Sequence, residues 1–285
     1  MSKRQIAQEL ECNFNTSGET VIDPECMEWL LGNICDPKHR TGFDRNYWIW
    51  KPVEEGTEYL LCADVARGDG SDFSVAQVIR LDTMEQVAEY QGKVTSDMFA
   101  PLLMSMASEY NNALLVIENN HDYGVLNKIE ELGYDNIYYS LKSTHEYVDQ
   151  ATAEARGGVA GFTMSMKTRP LVLSKLEEFI RNKLLILNSL RTVNEIKTFI
   201  WHNGRPQGMR GYNDDLVMAF GIAMFMRDTS FKFRQQHLDM SKATLNSIST
   251  AKTPFVGGYN NNQNIQNPYE IDNPYGGKED TSWLL

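Results

Sequence analysis

Four acids stand where a folded chain could do chemistry with them. Asp64 closes the apolar run Tyr59-Leu60-Leu61-Cys62-Ala63, Glu118 closes Leu114-Leu115-Val116-Ile117, and Asp214-Asp215 open an apolar stretch that reaches Arg227. Asp64 and Glu118 are 54 residues apart, and Asp215 follows 97 residues later, so only a fold can unite them. In an open α/β sheet, functional groups gather at the ends of neighbouring strands. Clustered carboxylates repel one another and resist ionisation unless a cation neutralises them. Oxygen-only ligand sets suit Mg²⁺ or Mn²⁺ rather than Zn²⁺. Two such ions about 3.5–4 Å apart can cut a phosphodiester, one activating water and the other stabilising the leaving oxygen. The five histidines are scattered and form no His-x-x-x-His pair, so they supply no rival ligand set.

Each acid also has a plainer use. An Asp after a strand often forms a turn, and an Asp before a helix is often its N-cap, a place that suits Asp214. Glu118, followed by Asn119-Asn120, has little local purpose and is the sharpest of the set. Asp72, in the loop Ala66 to Asp72, is either a further acid near the site or a loop cap. That loop fails the calcium-binding pattern, because Val75 and Ala76 stand where the closing Glu belongs. Gly68 and Gly70 read as its turn residues.

Positive side chains complement the acids. Lys167 and Arg169 begin a helix whose free N–H groups and dipole favour phosphate, and Pro170 suits its first turn. A solvated helix end is the alternative. Trp201, with Arg205 and Arg210, flanks a hairpin around Asn203-Gly204. It either presses on DNA by stacking and charge or packs in the core. The net charge is −11, yet Arg156 to Arg210 carries ten Lys or Arg against three acids, a net of +7 that leaves −18 elsewhere. A basic segment beside acidic ones suits local contact with phosphate, and a solvated face is the bland reading. No G-x-x-x-x-G-K-[ST] loop occurs, so no ATP-binding engine is visible.

The elements that must position these residues follow from patterning. With 285 residues, 42% hydrophobic and 23% charged, the chain is neither wholly disordered nor collagen-like. No run approaches the roughly 18 apolar residues of a membrane span, and Met1 to Leu10 lacks the apolar core of a signal peptide. The four cysteines form no C-x-x-C pair, which fits a reducing cytosol. A helix is predicted from Pro24 to Asn33, capped by Asp23. Three antiparallel strands follow at 59–65, 73–80 and 84–90. A helix from Ser96 to Tyr110, with Ser96 as N-cap, leads to a buried strand at 113–118. Then come a helix at 123–132 closed by Gly133, a short strand at 137–139, a mobile loop at 142–161 and an amphipathic helix at 167–182 with Leu171, Leu173, Leu176 and Ile180 on one face. A strand at 184–187, a helix or strand from Val193 to Phe199, the hairpin and a helix at 214–227 complete the core. Residues 255–280, rich in Asn, Gly, Pro and Gln, read as a flexible tail. The order is that of an α/β, ribonuclease H-like mixed sheet flanked by helices, with an N-terminal extension (1–57), a nuclease-type domain (58–230) and a C-terminal tail (231–285) that is largely flexible.

The combination resembles the C-terminal nuclease of the large terminase subunit of tailed bacteriophages. The carrying motifs are Leu61-Cys62-Ala63-Asp64-Val65-Ala66-Arg67-Gly68-Asp69-Gly70-Ser71-Asp72, Val116-Ile117-Glu118-Asn119-Asn120 and Gly211-Tyr212-Asn213-Asp214-Asp215-Leu216-Val217-Met218-Ala219. Gln8-Glu9-Leu10-Glu11-Cys12-Asn13-Phe14 looks like the end of a terminase ATPase domain, making 1–57 a linker from that half. The resemblance implies a Mg²⁺- or Mn²⁺-dependent endonuclease, with two ions, that cuts concatemeric viral DNA during packaging. It implies Asp64, Glu118 and Asp215 as catalytic metal ligands, with Asp72 and Asp214 as further acids. Lys167 and Arg169 are its positive residues before the long helix, and Arg67, Arg205 and Arg210 complete the expected DNA contacts. The expected partners are double-stranded DNA, the portal protein, the small terminase subunit and an ATPase domain or chain, with no membrane, in the host cytoplasm. Two other readings remain open: another ribonuclease H-like nuclease such as a junction resolvase, and a non-catalytic portal or capsid docking module.

Overall fold

The computed structural model describes residues 20–66, 73–120, 123–140, 147–148, 158–227, 270–273 and 277–280. Contacts divide the chain into two units, Met1–Gln236 and His237–Leu285.

The first unit is built on a six-stranded mixed sheet. Its strands are β1 (His39–Thr41), β2 (Tyr47–Ile49), β3 (Tyr59–Asp64), β4 (Ser74–Arg80), β5 (Glu85–Gly92) and β6 (Leu114–Ile117), in the order β1-β2-β5-β4-β3-β6. Neighbours pair antiparallel except β3 and β6, which run parallel. β3 is buried along nearly its whole length, which is why its sequence is an unbroken apolar run rather than an alternation.

Period-two alternation sorts the strand residues between two cores. Leu61 and Ala63 of β3, with Leu115 and Ile117 of β6, face the helices α2 (Ser96–Glu109) and α3 (Tyr123–Glu131) through Phe99, Leu103, Val125 and Ile129. Leu60, Cys62 and Val116 face the other way. There they meet α1 (Pro24–Asn33), α4 (Thr168–Arg181), α5 (Leu190–Lys197) and α6, the helix at 215–227. Asp64 and Glu118 continue the parity of Cys62 and Val116. Their side chains therefore belong to the face that α6 covers. α6 approaches α4 closely at Gly221, where a Cβ would stand 3.0 Å from Val172 Cγ1.

Between β6 and α4 the chain makes a small three-stranded sheet, β8-β7-β9, from β7 (Tyr139–Ser140), β8 (Tyr147–Val148) and β9 (Val159–Ala160). After α5 comes the antiparallel hairpin β10 (Phe199–His202) and β11 (Arg205–Gly208). Among the described residues, no helix is long and apolar enough to cross a membrane.

Several sequence expectations meet a different outcome. The stretch 35–51, part of the expected N-terminal extension, contributes β1 and β2 to the main sheet. α2 begins at Ser96, so Thr95 holds the N-cap place and makes no side-chain cap bond. Leu171 is 55% exposed, while Val172 and Phe179 line the buried face of α4 instead. Leu184 to Leu187 form no strand: Ile186 makes a single bridge to Glu85. The helix from Pro24, with Asp23 Oδ1 accepting from Cys26 N at 2.9 Å, and the hairpin turning at Asn203-Gly204 are as predicted. In the second unit, within the expected tail, Glu270–Asn273 and Gly277–Asp280 pair as the antiparallel hairpin β12-β13. The loop 67–72, residues 1–19 and most of the stretch 141–157 lie outside the described residues.

Candidate active site

Strand register puts the first two acids side by side. β3 and β6 pair Cys62 with Val116 and Ala63 with Ile117, so Asp64 and Glu118 come next on adjacent strands, with Glu118 N donating to Ala63 O at 2.9 Å. Neighbouring strands lie about 4.8 Å apart. Two carboxylates thus share one edge of the sheet on one face.

The third acid arrives on α6. Leu216 and Ala219 of this helix pack against Val75, the β4 residue paired with Asp64. That contact sets the start of the helix over the end of β3. Asp215 Oδ2 accepts from Phe73 N at 3.0 Å and from Asn213 Nδ2 at 3.3 Å. The neighbouring Asp214 turns to Arg169, whose Nη2 lies 2.8 Å from its Oδ2. Arg169 also donates to Pro206 O at 3.4 Å, tying the cleft to β11.

The electrostatics show that these groups feel one another. Burial, then Glu118, Asp215 and Asp214, push the Asp64 carboxyl well above the usual range, and Arg169 opposes them. Glu118 is 7% exposed. Its carboxyl is pushed up to about 7, chiefly by burial; Arg169 pulls it down while Asp214 and Asp215 add to the rise. Carboxylates that disfavour each other's ionisation suit a divalent cation, because a metal replaces the protons as the neutralising charge. All the donors are hard oxygens, the type that Mg²⁺ and Mn²⁺ prefer. Among the described residues, no three His, Cys, Asp or Glu side chains already stand in metal-ligand geometry, so the acids are neighbours rather than a finished cage.

The segment before α4 is pinned to the same edge. Glu118 bridges Phe162, and Asn119 Nδ2 donates to Ala160 O at 2.8 Å while its Oδ1 accepts from Thr163 Oγ1 at 2.9 Å. Asn120 Nδ2 donates to Met164 O. Gly161 lies between, at φ +81°, and a Cβ there would stand 2.6 Å from Ile117 O. Ser165 and Thr168 then cap α4 reciprocally: Thr168 N reaches Ser165 Oγ at 3.1 Å and Ser165 N reaches Thr168 Oγ1 at 2.7 Å. This chain of contacts carries Arg169 to the cleft.

The other expected residues fall as follows. Lys167 is exposed at the start of α4, and Arg205 and Arg210 are exposed on and beyond β11. Trp201 is 49% exposed, so core packing is not its role. It borders a cavity of about 640 Å³ lined also by Met166, Arg169, Pro170, Leu173 and Arg205. Arg67 and Asp72 lie outside the described residues. Sequence reasoning missed Glu195 on α5, whose Oε2 accepts from Leu216 N at 2.8 Å and Val217 N at 3.3 Å. Its one sequence signal is a lone acid in a basic amphipathic segment, which reads as ordinary helix surface. Burial first, then Asp215, pushes its carboxyl up to about 8, against those two N–H bonds.

No family model matches the sequence. Among solved structures, the chain shares its mixed-sheet fold with large terminase nuclease structures. The large terminase nuclease from thermophilic phage G20c matches with a TM-score of 0.54 and 15% identity, over 71% of this chain and 96% of that one. The same nuclease with bound magnesium (TM-score 0.55, 15% identity) and with bound cobalt (0.55, 16%) each match over 72% of this chain and 96% of theirs.

Proposed function

We propose that the chain is a divalent-metal-dependent DNA endonuclease that cuts concatemeric viral DNA during genome packaging, as the nuclease portion of a large terminase subunit. The observation that carries this reading is the shared edge of Asp64 and Glu118, with Asp215 brought to them on α6. The nuclease fold and the magnesium- and cobalt-bound forms of the phage G20c relative support it.

Asp64, Glu118 and Asp215 would hold two ions, Mg²⁺ or Mn²⁺, with Asp214 and Asp72 as further acids. When bound, such ions activate a water and stabilise charge on the departing oxygen of a phosphodiester. The protein's own part is to fix the acids and orient the strand. Phe73 N and Asn213 hold one oxygen of Asp215 and so set which way the carboxylate faces. Arg169 pairs with Asp214 beside two acids that resist ionisation and offers positive charge to an approaching phosphate. Lys167, Arg67, Arg205 and Arg210 would contact the DNA backbone, with Trp201 stacking against it. Such phosphate contacts carry little base information, so cleavage would show weak sequence preference. Attack in line on phosphorus would leave a 5′-phosphate and a 3′-hydroxyl. The portal protein, a small terminase subunit and an ATPase domain or chain are its expected partners in the host cytoplasm.

Plasmid cleavage in Mg²⁺ or Mn²⁺ tests this. Wild type is expected to cut, while Asp64→Asn, Glu118→Gln and Asp215→Asn keep their size, lose the anionic ligand and do not cut. Full activity in all three variants would overturn the assignment. Cleavage of branched DNA far above linear duplex would point to a junction resolvase instead.

A further inference from the structure

α6 is capped from outside. The residue ahead of a helix ordinarily turns its own side chain back to the N–H of the second or third helical residue. Asp214 occupies that place: its carbonyl accepts from Met218 N at 2.9 Å. Its carboxylate, however, goes to Arg169. The N–H groups of Leu216 and Val217 reach Glu195 of α5 instead, both on Oε2, at 2.8 and 3.3 Å. The other oxygen, Oε1, accepts from Gln91 Nε2 of β5 at 3.3 Å. One carboxylate thus joins α5, α6 and the sheet.

We propose that Glu195 is a positioning residue, which caps α6 in place of Asp214, fixes the first turn that carries Asp215, and releases the Asp214 carboxylate to the acid cleft. The inference rests on the nuclease reading only for what Asp215 is used to do. The physical argument is local. Helix ends fray from the first turn, where N–H groups lack partners within the helix. Asp215 is the first residue of α6, so fraying there displaces it directly. Glu195 stands on a different, well-anchored helix, with Val193 and Ile196 buried beside it, so it holds the first turn against the sheet rather than moving with it.

The test compares wild type with Glu195→Ala, Glu195→Gln, Glu195→Asp and Asp64→Asn in two readouts: Mn²⁺ binding by titration calorimetry and plasmid cleavage against Mn²⁺ concentration. Glu195→Ala is expected to weaken Mn²⁺ binding about tenfold and to raise the Mn²⁺ needed for half-maximal cleavage by about the same factor. Cleavage at saturating Mn²⁺ recovers towards wild type, a split that general loss of folded protein would not give. Glu195→Gln keeps an acceptor oxygen in place and stays within about threefold of wild type. Glu195→Asp keeps the carboxyl group but withdraws the acceptor by one methylene, and loses affinity; it decides the matter if the alanine variant does not fold. Wild-type Mn²⁺ affinity in Glu195→Ala or Glu195→Asp overturns the proposal, as does an equal loss in Glu195→Gln. If wild type binds Mn²⁺ through Asp64 yet cuts no DNA, the nuclease reading fails while the binding series still decides the role of Glu195. Wild type that binds no Mn²⁺ overturns both.

Discussion

Arg169 and Asp214 form an ion pair, 2.8 Å from Nη2 to Oδ2, between the first turn of α4 and the residue that opens α6. The pair is about one-third exposed on either side. Its main consequence is electrostatic, because Arg169 is the group that opposes the upward push on both Asp64 and Glu118. Removing it takes away the positive charge that opposes the rise on these two acids. Arg169→Gln is therefore expected to shift the pH profile of cleavage to higher pH and to lower the rate at pH 7 by about tenfold, one pK unit's worth. A pH–rate profile in Mn²⁺ checks this, and an unshifted profile would detach Arg169 from the acids.

The raised carboxyl of Glu118 makes the metal-free protein pH-sensitive. Its value in the fold is about 7, above the ordinary value of 4.5. The folded state then binds more protons than the unfolded one between those pH values, so stability falls as pH rises through that window. The expected result is a melting temperature several degrees lower at pH 8 than at pH 5, flattened in Glu118→Gln. Mn²⁺ is expected to stabilise more at pH 8, where protons no longer compete for the carboxylates. Thermal melts at the two pH values, with and without Mn²⁺, check both statements.

Gly161 admits no side chain. Its φ of +81° disfavours other residues, and a Cβ would press on the carbonyl of Ile117 at 2.6 Å. Gly161→Ala is expected to cost about 1–3 kcal/mol. It would also weaken Mn²⁺ binding, since Phe162 next door bridges Glu118. Denaturant unfolding and metal titration of this variant are the measurements.

Glu89 of β5 is fully buried and is satisfied by Arg191 Nε at 2.7 Å, Gln77 Nε2 at 3.2 Å, Gln86 Nε2 at 3.0 Å and Thr192. Arg191→Ala leaves that carboxylate buried without its counter-charge, and about 3–5 kcal/mol of stability should be lost. The double variant with Glu89→Gln removes the stranded charge and should recover part of the loss. Chemical denaturation of the single and double variants separates the two effects.

If the basic face meets DNA, each backbone contact contributes to the salt dependence. Lys167→Ala and Arg205→Ala should each weaken duplex binding for all sequences alike and lower the salt slope by about one. Binding titrations at several salt concentrations, in a catalytically dead background, provide the measurement.

Much of this architecture is legible because strand and helix periods are strong signals. The acids at the ends of β3 and β6 stand out as polar stops to apolar runs, and three motifs alone suggest the fold that the phage G20c nuclease shares. What stays hidden depends on contacts far apart in the chain. β1 and β2 are three residues each and take their place by pairing, β1 with β2 and β2 with β5, with no pattern of their own. Leu171 fits the apolar stripe of α4 by spacing, yet the helix is rotated so that Val172 faces Gly221. Glu195 reads as surface because its partners, the N–H groups of Leu216 and Val217, lie some twenty positions away. Asn119 and Asn120, quoted only as neighbours of Glu118, prove to be the clamps on the segment that delivers α4.

The parallel register of β3 and β6 has an evolutionary corollary. Loops around the cleft can lengthen or shorten freely, but a single-residue insertion or deletion inside either strand would swing one of the two carboxylates to the opposite side, under α2 and α3. Gene variants of this chain should therefore concentrate their gaps outside residues 59–64 and 114–118, leaving those two short spans as a fixed ruler for aligning distant members.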